Sequence, residues 1–244
     1  MCPMNPRLLR PRASGLTDPR QLASLAVWLD GSDSTTITLN GLTVSEWRDK
    51  SGNARHAAQA TAAAQPTYTS NDLNALATLR TTGSQHMVIP AWTYLNTNTV
   101  ITVFRASALN QAPCQRGSVN NGPRLAVQDP SSGLRLRNTI HGTAASQVNA
   151  DGPTYTANTW AIGAGVTRTD RVRVYQNGVW GTDATYTMQL SGSFNLILFA
   201  LNTSNLYGLN GGIAEFIAYD RALSDGEVTQ VARYLSRKWN IAIS

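Results

Sequence analysis

From residue 25 to residue 219 the chain reads as a succession of short strands separated by turn chemistry, with no helix among them. About twelve such segments follow one another at 8–15-residue spacing. Parallel strands need crossover connections of a dozen or more residues, usually helical, so this spacing excludes a βαβ architecture. It predicts an all-β, two-sheet antiparallel sandwich.

The segments are individually legible. LAVWLD (25–30) opens the series, and ITLNGLTVSEW (37–47) contains Asn40-Gly41, a strong hairpin signal. ALATLRT (75–81) and HMVIP (86–90) flank a turn at Gly83. TVITVFRA (99–106) is almost continuously apolar and reads as a central strand. RLAVQDPSSGLRLR (124–137) reads as a hairpin, and TWAIGAGVT (159–167), RVRVYQNGVW (171–180) and FNLILFAL (194–201) complete the pattern. Residues 107–123 and 139–157 read as long polar loops, which in a sandwich gather at edges and ends and serve binding.

The chain closes differently, with GGIAEFIAYDRALSDGEVTQVARYLSRKWNI at 211–241. In its first part Ile213, Glu215, Ile217 and Tyr219 alternate with Ala214, Phe216 and Ala218. Both faces are largely apolar, as in an interior strand covered on both sides. Ser224 and Glu227 then form a capping box. Val228, Val231, Ala232, Leu235 and Trp239 follow as one apolar stripe, with Arg233, Arg237 and Lys238 toward the C-terminal end. A helix of this kind lies flat on the sandwich and seals it.

At 244 residues the chain is within the range of a single all-β domain. Asp18-Pro19 reads as a helix start, with residues 18–25 supplying about two turns. Residues 1–16 carry Arg7, Arg10 and Arg12 among three prolines and read as an extended basic arm, leaving 17–244 as the domain. The formal net charge is +6, yet no basic stripe interleaved with aromatics is present, so a nucleic-acid partner is not expected. Neither a membrane span nor a secretion signal is expected. Cys2 and Cys114 do not suggest a disulfide framework.

Four stretches together resemble the concanavalin A-like, laminin-G-like jelly-roll domains, in the version found in phage and bacterial proteins. They are LAVWLDGSD, EWRDKSGNARHAAQAT followed by QPTY, VRVYQNG, and the closing segment. The resemblance covers roughly residues 20–244. It implies that the WLD strand and the IAEFIAYDRALS strand are neighbours in one sheet. It also implies functions ranging from carbohydrate or protein binding through virion structure to glycan cleavage. Fold alone does not choose among these.

The acids bear on that choice. Acid/base cleavage of a glycoside needs two carboxylates about 5–10 Å apart. The glucanases this fold resembles place theirs on one strand in an ExDxE-like arrangement. Here the glutamates are Glu46, Glu215 and Glu227, and Ile217 stands where Glu215 would need a partner. No catalytic residue is expected. His56, His86 and His141 lack metal-ligand spacing and read as ordinary surface or strand residues; Asp30, Asp33 and Asp170 are the candidate calcium ligands, but no metal or cofactor is expected.

The ligand candidates are Trp92 and Tyr94, in what reads as a polar loop, with Asp49, Asn53 and His56 in RDKSGNARHA. The alternative for Asp49 is a turn role, accepting backbone N–H groups across Ser51-Gly52-Asn53. Trp28, Trp47, Trp160 and Trp239 read as core.

The expectation is therefore a non-enzymatic phage virion protein, a tail fibre, adhesin or capsid decoration, made in the host cytoplasm. The arm would hold it to other virion subunits, with a host surface glycan as possible ligand and a homo-oligomer on the particle. The alternatives are a bacterial carbohydrate-binding module and a glycan hydrolase of glucanase-like fold.

Overall fold

The computed structural model describes residues 18–95, 97–117, 122–128, 133–141, 147–187 and 191–244. The arm residues Arg7, Arg10 and Arg12 lie outside them. Strands occupy Leu25–Asp30 (β1), Ile37–Asn40 (β2), Thr43–Trp47 (β3), Ala57–Ala58 (β4), Thr67–Leu73 (β5) and Leu76–Thr82 (β6). Met87–Leu95 (β7), Asn98–Ala106 (β8), Gln111–Arg116 (β9), Gly122–Val127 (β10), Arg135–His141 (β11) and Gln147–Thr154 (β12) follow. Trp160–Thr167 (β13), Arg171–Gln176 (β14), Val179–Thr185 (β15), Ser191–Leu198 (β16) and Asn210–Tyr219 (β17) lead into a helix, α1, at Asp225–Trp239.

All pairings are antiparallel. One sheet runs β1–β17–β8–β13–β14–β15, with β6 on β17 ahead of β1. The other runs β4–β7–β16–β9–β10–β11–β12. β2, β3 and β5 join the two at one edge. As the resemblance implied, β1 and β17 are neighbours.

Two apolar layers result. Leu29, Phe104, Leu125, Leu136, Ile140, Val174, Leu196 and Phe216 fill the space between the sheets. On the outer face of the first sheet, Trp28, Ile101, Val103, Ile162, Val166 and Ile217 meet Val228, Val231, Ala232, Leu235 and Trp239 of α1. The helix stripe is buried as its periodicity predicts. Ser224 caps α1, accepting from the Glu227 N–H, and Glu227 accepts from the Ser224 N–H. Asn240 ends the helix in the left-handed conformation. The sheets approach closely where a side chain on Gly163 would collide with Leu136 and Phe104.

Several expectations are corrected. Both supposed polar loops contain strands, β9 in one and β12 in the other. Gln115, Asn149 and Asp151 belong to an outward sheet face, and Gln111 and Arg116 break the inward apolar alternation of β9, so these segments did not read as strand. The helix at Pro19 is one 3-10 turn ending at Gln21, because Leu22 is already extended and the chain enters β1. Ile213 faces the inter-sheet core instead of sharing the helix side with Glu215, Ile217 and Tyr219. A register shift between Ile213 and Glu215 switches the face there. PAWTYL is strand, not loop: Pro90 is accommodated at a register shift between β7 and β16, where no ladder N–H is demanded of it.

Candidate functional site

Because α1 lies on the first sheet, the outer face of the second has no helix over it among the described residues. Strand alternation decides what it presents. On β10, Leu125 and Val127 point into the core, so Arg124 and Ala126 point outward. On β11, Leu136 and Ile140 point inward and Arg137, Thr139 and His141 outward. The register sets Gln115 opposite Arg124, Arg124 opposite Thr139, and Thr139 opposite Asn149. A polar row thus crosses four strands.

This row is largely covered. Gln115 and Thr139 are fully buried, while Arg124 is 7% exposed and His141 8%. Residues 199–209 form one wall: Leu201 and Tyr207 pack on Ala112 and Ala126, held by the Ala112 N–H donating to the Tyr207 carbonyl at 2.9 Å. The Thr139 hydroxyl donates to Asn149 Oδ1 at 2.8 Å, and Arg137 pairs with Asp151 in a two-pronged bridge of 2.5 and 2.9 Å. Arg124 donates through Nη2 to Gln128 Oε1 at 3.1 Å, with its guanidinium 5.8 Å from the Tyr207 ring centre. Burial, helped by the Arg124 charge, brings His141 down to a pKa of about 4, so the imidazole is neutral at pH 7.

The sequence-derived ligand candidates lie elsewhere. Asp49 accepts from the N–H groups of Trp28, Ser51 and Arg55, and His56 Nδ1 accepts from the Asp49 N–H. Asn53 donates to the carbonyls of Leu25 and Ala26. This cluster therefore follows the turn alternative, tying the 48–57 segment to β1. Trp92 is 8% exposed and donates its indole N–H to Asp220 at 2.7 Å. The guanidiniums of Arg116 and Arg55 lie 3.8 and 4.7 Å from its ring centre. Trp92 is thus packed beside Asp220. Tyr94 lies on β7 opposite Gly192, and its side chain is outside the described residues. Trp28, Trp47 and Trp239 are core, whereas Trp160 is half-buried beneath Arg80.

The acids form their own pattern. Asp30 and Glu215 come together under α1, bridged by Lys238 Nζ at 2.6 and 2.7 Å. Lys50 joins Asp30 to Asp33. Burial raises the Glu215 carboxyl above its ordinary range despite Lys238. Burial opposes ionisation of Asp30 too, but Lys238, Ser32 and Lys50 outweigh it and hold that carboxyl low. Asp170 pairs with Arg171, Asp72 with Arg80, Asp225 with Arg173, Glu46 with Arg48 and Glu227 with Arg221. No cluster of three His, Cys, Asp or Glu suited to a metal occurs among the described residues.

The two-sheet antiparallel sandwich with a helix packed on one sheet defines a jelly-roll domain. A family model described as the concanavalin A-like lectin/glucanases superfamily matches residues 67–229. The chain belongs to that superfamily.

Solved structures agree on the fold. Domain 4 of AbnA, an extracellular GH43 arabinanase of Geobacillus stearothermophilus solved with arabinotriose, superimposes with a TM-score of 0.61 at 18% identity, over 86% of this chain and 98% of that domain. The binding domain of botulinum neurotoxin serotype G gives 0.61 at 11%, over 86% of this chain and 51% of that one. Trypanosoma rangeli sialidase gives 0.58 at 14%, over 89% and 33%. The chain thus spans one whole domain of the arabinanase but only about half and a third of the other two. At such identities the likeness is one of fold. No protein of curated function matches the sequence.

Proposed function

We propose that the chain is a non-enzymatic carbohydrate-binding jelly roll whose saccharide lies across the outer face of β9–β12. The observation that carries this reading is the polar row of Gln115, Arg124, Thr139 and Asn149 on the sheet face opposite the helix, which reaches the surface at Asn149 and beside it at Tyr207. Amide and hydroxyl groups at a fixed spacing match sugar hydroxyls, and an aromatic ring matches the apolar face of a pyranose. The complex of the arabinanase domain with arabinotriose supports a saccharide on this fold. Against catalysis stands the engagement of the acids. Every carboxylate other than Asp129, which lies outside the described residues, has a cation or hydrogen-bond donor of the chain itself as partner. A glycosidase needs one such group free to protonate and another free to attack or to activate water.

Titration calorimetry of the full chain against neutral and acidic oligosaccharides, beside a reducing-end assay on the matching polysaccharides, tests this. Binding without release of reducing ends is expected. Release that disappears in Glu215→Gln, with folding retained, would make the protein a hydrolase.

The setting we propose is a phage virion, with residues 1–16 holding the domain to other subunits. The basic, proline-rich composition of that arm and the family resemblance support it. Deleting residues 1–16 should abolish incorporation into particles while leaving thermal unfolding unchanged. A free-standing bacterial binding module would lose nothing by the deletion.

A further inference from the structure

Arg124 differs from the other arginines of this sheet. Arg137, its outward neighbour on β11, is neutralised by Asp151, and Arg116 lies 3.5 Å from Asp220. Arg124, 7% exposed, meets the uncharged Gln128 amide and the Tyr207 ring, and among the described residues no carboxylate pairs with it. Its Nε has no hydrogen-bond partner. Nor has Nε2 of His141, two residues along β11 from the Thr139 that faces Arg124. Diagonal neighbours on paired strands are within reach of long side chains, so both unfilled groups lie side by side on the same outward face.

A guanidinium keeps its charge at any physiological pH. Burying one without a counter-ion is costly, and burial does weaken proton binding by Arg124. The arrangement makes sense if the counter-ion arrives with the ligand. A planar oxyanion accepts two parallel bonds from the guanidinium fork. His141, in its Nε2–H tautomer, offers another donor.

Resting on the carbohydrate-binding reading above, we propose that the ligand is an anionic saccharide whose carboxylate or sulfate group is held by Arg124 and His141. The sugar ring bearing it then lies against Tyr207, and the partly exposed Asn149 meets its hydroxyls.

The test uses the full chain and paired oligosaccharides. Each acidic member, bearing a uronate, a sialate or a sulfate ester, is matched by its methyl-esterified or desulfated form, and sodium sulfate alone is a further probe. Calorimetry should show at least one acidic member binding about tenfold or more tighter than its neutral partner, the worth of one charge-assisted bidentate contact. Added salt should erode that preference. Arg124→Gln should abolish the preference, so that the acidic and neutral members of a pair bind that variant equally. Should that variant not fold, the paired comparison on wild type and the partial loss in Arg124→Lys decide. Equal binding of acidic and neutral members overturns the anion assignment while leaving the carbohydrate reading intact. Sulfate alone binding as tightly as the acidic sugar overturns the saccharide assignment. If no saccharide binds, the carbohydrate reading itself fails.

Discussion

Trp28, on the first strand, and Trp239, at the end of the helix, donate their indole N–H groups to the two oxygens of one carboxylate, Glu215, at 2.8 and 2.7 Å. Tyr234 and Lys238 complete the set, at 3.0 and 2.7 Å. The fully buried acid thus acts as a knot that joins β1, β17 and α1. Removing one member of such a buried cluster leaves the others without a partner.

Glu215→Gln should therefore destabilise the fold by about 3–5 kcal/mol, the usual cost of breaking a buried ion pair. An amide offers one acceptor oxygen where four donors converge. Urea unfolding followed by tryptophan fluorescence measures the loss. Saccharide binding by the remaining folded protein should not change, because Glu215 lies on the sheet opposite the proposed ligand face.

Leu235 is the fully buried centre of the helix stripe. Leu235→Ala should cost about 2–5 kcal/mol, transfer and cavity terms together. Ser236→Ala, on the same helix but outside the stripe, should cost much less. Equal midpoints for the two variants in urea would mean that α1 does not seal the sheet.

The pH dependence of the cap can be assigned a sign. Arg221 grips Glu227 with two bonds of 2.9 and 2.7 Å and holds its carboxyl at a pKa of about 2, below the ordinary 4.5. A depressed carboxylate stabilises the fold above its unfolded pKa and loses that contribution as pH falls through the folded value. The stability gap between wild type and Glu227→Gln should be roughly 0.5–1 kcal/mol above pH 5, given partial exposure. It should close toward pH 2. Asp30 acts in the same direction and Glu215 in the opposite one, but both are common to the two proteins. Thermal melts across this range supply the measurement.

Cys114 is buried at 3% exposure between the sheets, and burial pushes its thiol up to about 12. In a Cys2→Ser background, iodoacetamide at pH 8 should leave the native protein unmodified and label it only once urea has unfolded it. Labelling at the rate of a free thiol under native conditions would contradict this packing.

His141 adds a second pH signature. Burial and Arg124 set its pKa near 4, below the ordinary 6.5, so its neutral form belongs to the folded state. Folded stability attributable to it is present above pH 6.5 and declines as pH falls toward 4. In His141→Gln that part of the pH dependence should be missing. Parallel melts of the two proteins between pH 7 and pH 4 check it.

Where a residue pattern is set by its own neighbours in the chain, the sequence is a good guide. The β1 strand, the turn at Asn177-Gly178, the Ser224–Glu227 cap and the five-residue helix stripe all depend on spacing within one element, and each occurs where its spacing places it. The turn role of Asp49 was legible for the same reason, since two of the N–H groups it accepts from, those of Ser51 and Arg55, are within six residues.

The strands β9 and β12 were not legible. Half of each faces outward onto a polar surface, so QAPCQR and QVNADGPT resemble loops until their partners are known. The bulge that turns Ile213 away from Glu215 is likewise a property of pairing with β8. Arg124 was visible only as a residue of a hairpin strand, and His141 fell in the segment read as a polar loop.

The sequence by itself determined the class of fold, the helix that closes the sandwich and the cap that starts it, because alternation and capping act over a few residues. Tertiary structure decided which sheet the helix covers, which face remains open, and that Arg137 meets an acid while Arg124 does not. Those outcomes depend on cross-strand register between segments far apart in the chain, where one residue of slip exchanges inside for outside.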